Sequence, residues 1–456
     1  MLRLLGGDVS VNCAGMKRRS FLQAGFLGLA GLSLADLLRI EEAQAASGQA
    51  PRRNTACILI WLDGGPPQHE TYDPKPEAPA EYRGAFKAIE TTVSGLRFCE
   101  LMPKQAEVAH RMAVVRSVHH DNGDHFAGAH MMLTGRWGAT GADNTPRAPG
   151  AGSYVARVRG PNRPGLPPYV GLSNLHSVGV APGYHGANWL GAQHNPFLAD
   201  DTSGGKRVGT PTLFKQASNL DRLATRRTLL DKVDHLRRTF EHEPEVNAGS
   251  QFTQLAFNTL LSPEVRQAFD LNAEPEKTAE LYGDHRWSRY CLLARRLVEH
   301  GVTFVTVNMD GWDMHDNIAE VVKGPAAAMD RAVGSLVKDL DQRGMLDRVL
   351  VVVMGEFGRT PKLNTTGVPG QTGKPGRDHW GQVMSVAMAG GGLRMGQAIG
   401  ASDANGEYPV LRPYRPGDVL ATMYRVLGIN PETEIHDREN RPMRILPEGA
   451  PIAELV

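Results

Sequence analysis

Ala56-Cys-Ile-Leu-Ile-Trp-Leu62 is an unbroken apolar run, and it ends in Asp63-Gly64-Gly65-Pro66-Pro67. A short apolar run closed by glycine and proline reads as a strand buried on both faces, as inside a parallel sheet. The pattern recurs at Met112-Ala-Val-Val-Arg-Ser117, Val302-Thr-Phe-Val-Thr-Val-Asn308, Val349-Leu-Val-Val-Val-Met354 and Val383-Met-Ser-Val-Ala-Met-Ala389. Helical spacing precedes the third run (Tyr290, Leu293, Leu297, Val298) and the fourth (Met329, Ala332, Val333, Leu336, Val337, Leu340), with Gly344 as a stop. This alternation predicts an α/β fold with a mostly parallel central sheet and helices on both faces.

Lys+Arg 50 against Asp+Glu 49 leaves a formal charge of +1, so no global basic field points to nucleic acid. Residues 161–284 break the alternation. They are loop-rich up to Thr212, then helical and charged from Asp221 to His242, and read as an inserted cap or substrate-side region.

The first 45 residues read as an export signal. Lys17-Arg18-Arg19-Ser20-Phe21-Leu22-Gln23 is a paired-arginine motif, Ala24 to Leu38 a modest apolar run, and Ala43-Gln44-Ala45 a small-x-small cleavage pattern, with Met16 as the expected start. The apolar run falls short of the roughly 20 residues a membrane-spanning helix needs. The chain is therefore expected to meet the twin-arginine export machinery, to be periplasmic or secreted, and to keep no stable membrane span once mature. Cys57, Cys99 and Cys291 beyond the leader are too few for a disulfide framework.

Ligands of parallel α/β sheets bind beyond the carboxyl ends of the strands, and polar residues collect there. Asp63 follows the first strand. His119-His120-Asp121-Asn122-Gly123-Asp124-His125 follows the second, with His130 beyond it. Asp310-Gly311-Trp312-Asp313-Met314-His315-Asp316 follows the third, Glu356-Phe357-Gly358-Arg359 the fourth, and Arg377-Asp378-His379-Trp380 precedes the fifth. Each alone has a plainer reading: Asp63-Gly64-Gly65 as a turn, Asp378 as a helix cap, His379 as a packing residue. Recurrence at one structural position argues for a metal or anion site. Mixed carboxylate and imidazole ligands suit zinc or manganese, and oxygen ligands suit calcium or magnesium. Other chemistries fit less well. Val368 and Pro375 spoil a phosphate loop around Gly370 to Lys374, and Gly171-Leu-Ser173-Asn-Leu175 lacks the second glycine of a nucleophile elbow.

Trp61-Leu-Asp-Gly-Gly-Pro66, Tyr72-Asp-Pro-Lys-Pro76, Arg116-Ser-Val-His119, Gly311-Trp-Asp-Met-His315, Gly355-Glu-Phe-Gly-Arg-Thr-Pro361 and Gly376-Arg-Asp-His-Trp-Gly381 together resemble the exported bacterial "domain of unknown function 1501" family, from about residue 55 to residue 446. That family looks like a branch of the alkaline phosphatase and sulfatase superfamily, whose members hold one or two divalent metals at sheet-edge Asp and His residues. The resemblance implies a domain of that kind over 55–446, with Asp63, Asp313, His315, Glu356, Asp378 and His379 holding one or two ions, of zinc, calcium or manganese. Phe357 stands where the superfamily usually has the His of an Asp-His pair. Counting back from Leu133-Thr134-Gly135 to the nucleophile position lands on His125, with Ser117 as the nearest hydroxyl on the second strand and Thr71 and the Pro67 position as outside candidates. His125 as nucleophile, general acid/base or metal ligand, water activated directly by metal, and binding without catalysis all remain open.

The resulting expectation is an exported metal-dependent hydrolase acting on phosphate or sulfate esters, of a small molecule or a polysaccharide, with Arg359 clamping the anion. The rival is a non-catalytic periplasmic protein that binds an anion or glycan. His119, His130 and Ser117 are further site candidates, with His125 and His130 expected to face the carboxylates and α-helix expected to begin only after His125.

Overall fold

The computed structural model describes residues 54–173, 175, 183–199, 262–364 and 373–456. The expected export signal and the charged stretch from Asp221 to His242 lie outside the described residues. Ten strands and five helices position the site. The strands are β1 (Ala56–Asp63), β2 (Met112–Val118), β3 (Tyr169–Leu172), β4 (Phe197–Ala199), β5 (Phe304–Asp310), β6 (Val349–Met354), β7 (Gly358–Arg359), β8 (His379–Trp380), β9 (Met384–Gly390) and β10 (Gln397–Ile399). The helices are α1 (His125–Thr134), α2 (Ala151–Val158), α3 (Arg286–His300), α4 (Lys323–Gln342) and α5 (Pro416–Val426).

Eight strands form one sheet in the order β10-β2-β9-β6-β1-β5-β3-β4, while β7 and β8 pair as a separate short ribbon. β1 lies in the middle, parallel to β5 on one side (Asp63 opposite Asp310) and to β6 on the other. Among the described strands of this sheet only β9 reverses direction, pairing antiparallel with both β2 and β6. The sheet is thus mixed and mostly parallel, in line with the expectation from the apolar runs. The fifth run of the sequence is its one reversed strand.

Alternation along β1 sends Ile58, Ile60 and Leu62 to one core, and Cys57, Leu59 and Trp61 to the other. The first core is closed by α3 and α4, whose apolar positions recur at helical spacing. The second is closed by α1, α2 and α5. Burial on both faces is why β1 carries no polar residue until Asp63. No helix of the described residues is long and apolar enough to cross a membrane.

The region read as an insertion, about 161–284, gives two strands to the central sheet, β3 and β4, on its β5 side. Its sheet-forming part was hidden because strands of four and three residues among glycines and prolines carry little period to read.

Candidate metal centre

Four loops and one helix start meet at the carboxyl edge of the sheet. Asp63 closes β1, Asp313 lies three residues beyond β5, and Glu356 two beyond β6. His125 opens α1, with the Asp124 carboxylate capping it through the Ala127 N–H at 3.0 Å. Asp378 and His379 come before β9 because β9 runs backwards, so its beginning lies where the other strands end. Gly64 makes the approach possible. Its φ is +115°, and a Cβ there would fall 2.4 Å from the Asp313 backbone nitrogen. Its N–H donates to Glu356 Oε1 at 2.8 Å.

Asp313 is the hub. His315 Nε2 lies 2.8 Å from its Oδ1, His379 Nε2 3.1 Å from the same oxygen, and His125 Nε2 3.4 Å from Oδ2. The opposite ring nitrogens are all engaged elsewhere. His379 Nδ1 donates to the Gly123 carbonyl at 2.8 Å, His125 Nδ1 to Glu356 Oε1 at 2.8 Å, and His315 Nδ1 to Asp378 Oδ1 at 2.7 Å. A neutral imidazole that donates through Nδ1 carries its lone pair on Nε2. Three lone pairs would then face one carboxylate. Protons on the imidazoles can hold that arrangement together, and so can a divalent cation. An acceptor on the far nitrogen of each ligating histidine is the usual support of a metal site.

Burial alone would raise the Asp313 carboxyl, but hydrogen bonds from His125, His379 and Arg359 hold it far below the usual range. Burial alone would lower His125, yet its bonds to Asp313 and Glu356 push it up to about 9. Glu356 is fully buried, and burial with the neighbouring Asp63 charge raises it against the pull of His125. Among the described residues its Oε2 has no hydrogen-bond partner. A coordinating atom from each of His125, Asp313 and His379 lies within 4.8 Å of the others. Two or three imidazoles, a carboxylate and a nearby buried carboxylate oxygen without a partner fit a zinc- or manganese-type ion.

The structure brings together most of the residues singled out in the sequence. Asp63 is buried at the end of β1 and accepts from the Trp61 indole at 2.9 Å. Asp378 orients His315 rather than joining the inner group. Arg359, expected to clamp an anion, is fully buried with its guanidinium turned to backbone carbonyls and Asp313. His130 does not face the carboxylates. Its Nδ1 donates to the Arg136 carbonyl, its Nε2 accepts from the Arg147 N–H at 3.3 Å, and its ring meets Tyr184. The helix begins at His125, not after it, so five residues of continuous helix set the two rings about 140° apart. Ser117 Oγ donates to the Arg412 carbonyl at 2.6 Å, and half-buried His119 lies by Arg415 and Asp121.

Two contributors went unread. His120 is buried with Nε2 2.6 Å from the Glu356 carbonyl. Phe357 stacks on His379 at 4.5 Å between ring centres. Phe357 had a signal, since it occupies the place where the resemblance expects a histidine. His120 had none beyond its place in the histidine run.

No curated protein matches the chain. Among solved structures it is similar to the sulfatase PsFucS1 from Pseudoalteromonas sp., at 13% identity over 87% of this chain and 71% of that one, with a TM-score of 0.34. It is also similar to the lipoteichoic acid synthase LtaP from Listeria monocytogenes (9% identity, 86% and 78% covered, TM-score 0.38). A third is an alkaline phosphatase from the Antarctic bacterium TAB5 (10%, 82% and 98%, TM-score 0.36). At these values the likenesses say nothing about this chain's chemistry. A family model described as "Protein of unknown function (DUF1501)" matches residues 54–456, and the chain belongs to that family.

Proposed function

We propose that this protein is an exported metal-dependent hydrolase of phosphate or sulfate esters, of a small molecule or a polysaccharide. One observation carries the metal-dependent part. Three imidazole Nε2 atoms converge on the Asp313 carboxylate, and each ring has its far nitrogen held by an acceptor. His125, Asp313 and His379 would hold the ion, with His315 beside them and Glu356 and Asp378 orienting the rings. A divalent ion held there would supply Lewis acidity toward a phosphoryl or sulfuryl oxygen and would lower the pKa of a bound water. The chain's own residues orient the ligands: α1 aims His125, the Glu356 carboxylate fixes its ring, and Phe357 backs His379. The ester class follows the motif resemblance, and export follows the Arg18-Arg19 motif with its apolar run.

The test is elemental analysis of the purified protein, followed by turnover of aryl phosphate and aryl sulfate by wild type and Asp313→Ala. Bound divalent metal and turnover, both lost in Asp313→Ala, are expected. Turnover that survives the substitution sinks the reading. Mass spectrometry of the exported protein checks the leader, and a chain still carrying Met16 contradicts cleavage.

Binding without turnover is the second reading, and one observation favours it. The two hydroxyls named as nucleophiles are committed elsewhere, Ser117 to the Arg412 carbonyl and Thr71 to that of Pro67. Metal and a retained anion affinity without hydrolysis would establish it.

A further inference from the structure

We propose that Arg359 is a positioning residue for the metal centre, clasping the loops that deliver its ligands and fixing which oxygen of Asp313 faces the cation. The inference rests on the metal reading above and goes beyond it by giving a buried guanidinium a task in that site. Arg359 Nε donates to the Gly65 carbonyl at 2.9 Å and Nη1 to the Arg377 carbonyl at 3.1 Å. Nη2 donates to the carbonyls of Gly64 and of Trp312, the latter at 3.1 Å, and to Asp313 Oδ1 at 2.6 Å. Those acceptors lie on the loop after β1, the loop after β5 and the segment leading to β9, while Arg359 itself follows β6. Four sheet-edge segments are joined at one planar group.

Its place is fixed from behind. Gln68 Oε1 accepts from the Arg359 N–H at 2.8 Å, and Gln68 Nε2 donates to its carbonyl at 2.8 Å. Full burial excludes direct contact with a substrate anion. The effect on Asp313 is directional. Arg359, His315 and His379 all lie against Oδ1, which leaves Oδ2 facing His125. A carboxylate free to rotate would offer the ion either oxygen, and the loops would lose their common tie. Lysine cannot substitute, because an ammonium has no fork of fixed donors with which to meet carbonyls on several segments.

The full chain is titrated with zinc chloride by calorimetry at constant pH, beside thermal melts without metal. Wild type, Arg359→Lys, Arg359→Ala, Gln68→Met and Arg286→Ala are compared. Arg286 is the control, since it pairs with Asp310 at the end of β5 without touching Asp313. Removing an outer support of a metal ligand weakens binding about 10–100-fold, and that loss is expected for folded Arg359→Lys, with Arg286→Ala unchanged. Added guanidinium ion is expected to restore affinity to Arg359→Ala, which a purely scaffolding role would not give. Wild-type affinity in folded Arg359→Lys overturns the proposal. If that variant does not fold, Gln68→Met decides: a several-fold loss supports the role and none overturns it. Wild type that takes up no zinc removes the metal reading itself, an outcome separate from the behaviour of the variants.

Discussion

Between α3 and α4, Arg295, Arg296 and Arg343 meet Glu274, Glu299 and Asp339, three guanidinium groups against three carboxylates. Arg295 is fully buried there, yet its pKa is raised, because the hydrogen bond to Glu274 and the Asp339 charge outweigh desolvation. At the carboxyl edge the balance is different. Asp313 pairs with Arg359 and with three imidazoles, while Glu356 meets His125 and Asp378 meets His315. Both regions bury charge, but the first neutralises itself and behaves as scaffold. The second sets carboxylates mostly against imidazoles, whose charge depends on protons or a metal, and strong perturbation of that kind marks functional sites more often than structural ones.

Substitutions can break this contrast. Arg295→Met leaves Glu274, Glu299 and Asp339 with Arg296 and Arg343 alone, three carboxylates against two guanidinium groups. It should destabilise the fold by about 3–5 kcal/mol in urea unfolding, while the folded fraction binds zinc as wild type does. A matching fall in zinc affinity would mean the two regions are not independent. His125→Ala and His379→Ala should each reduce bound metal at least tenfold by elemental analysis. Equal metal in both variants would place the ion elsewhere.

The pH dependence sharpens the same point. His125 in the folded protein titrates at about 9, above its ordinary 6.5. Its stabilising contribution is therefore complete below about pH 6.5 and is lost as pH rises through about 9. Thermal midpoints of the metal-free protein should fall across that window, and His125→Gln should flatten the slope. Zinc displaces the same proton, so its affinity should climb as pH rises. A metal affinity that falls between those pH values would contradict the assignment. The smallest effect is expected at His130. His130→Ala should leave metal content unchanged and cost about 0.5–1.5 kcal/mol per lost hydrogen bond to the loop at Arg136 and Arg147, again read by urea unfolding.

The strands of the parallel core were legible because burial on both faces forces a continuous apolar run, a local signal. So were the polar residues that end each run, since a buried strand turns polar only where it leaves the core. Asp63, Asp313, Glu356 and His379 could thus be named as a group across nearly the whole chain. The direction of β9 was not legible, because an apolar run reads the same both ways. Side-chain orientation was also undecided. His125 and His130 share one histidine-rich stretch, and only the start of α1 at His125 sends the second ring away from the site. Arg359 beside Glu356 suggested an anion clamp. Its commitment to Gly64, Gly65, Trp312 and Arg377 depends on carbonyls of three distant segments. Sequence determines which residues reach the sheet edge, because hydrophobic burial is written locally. Tertiary structure decides which of them face one another, because that depends on strand direction, helix phase and loop packing set by the whole chain.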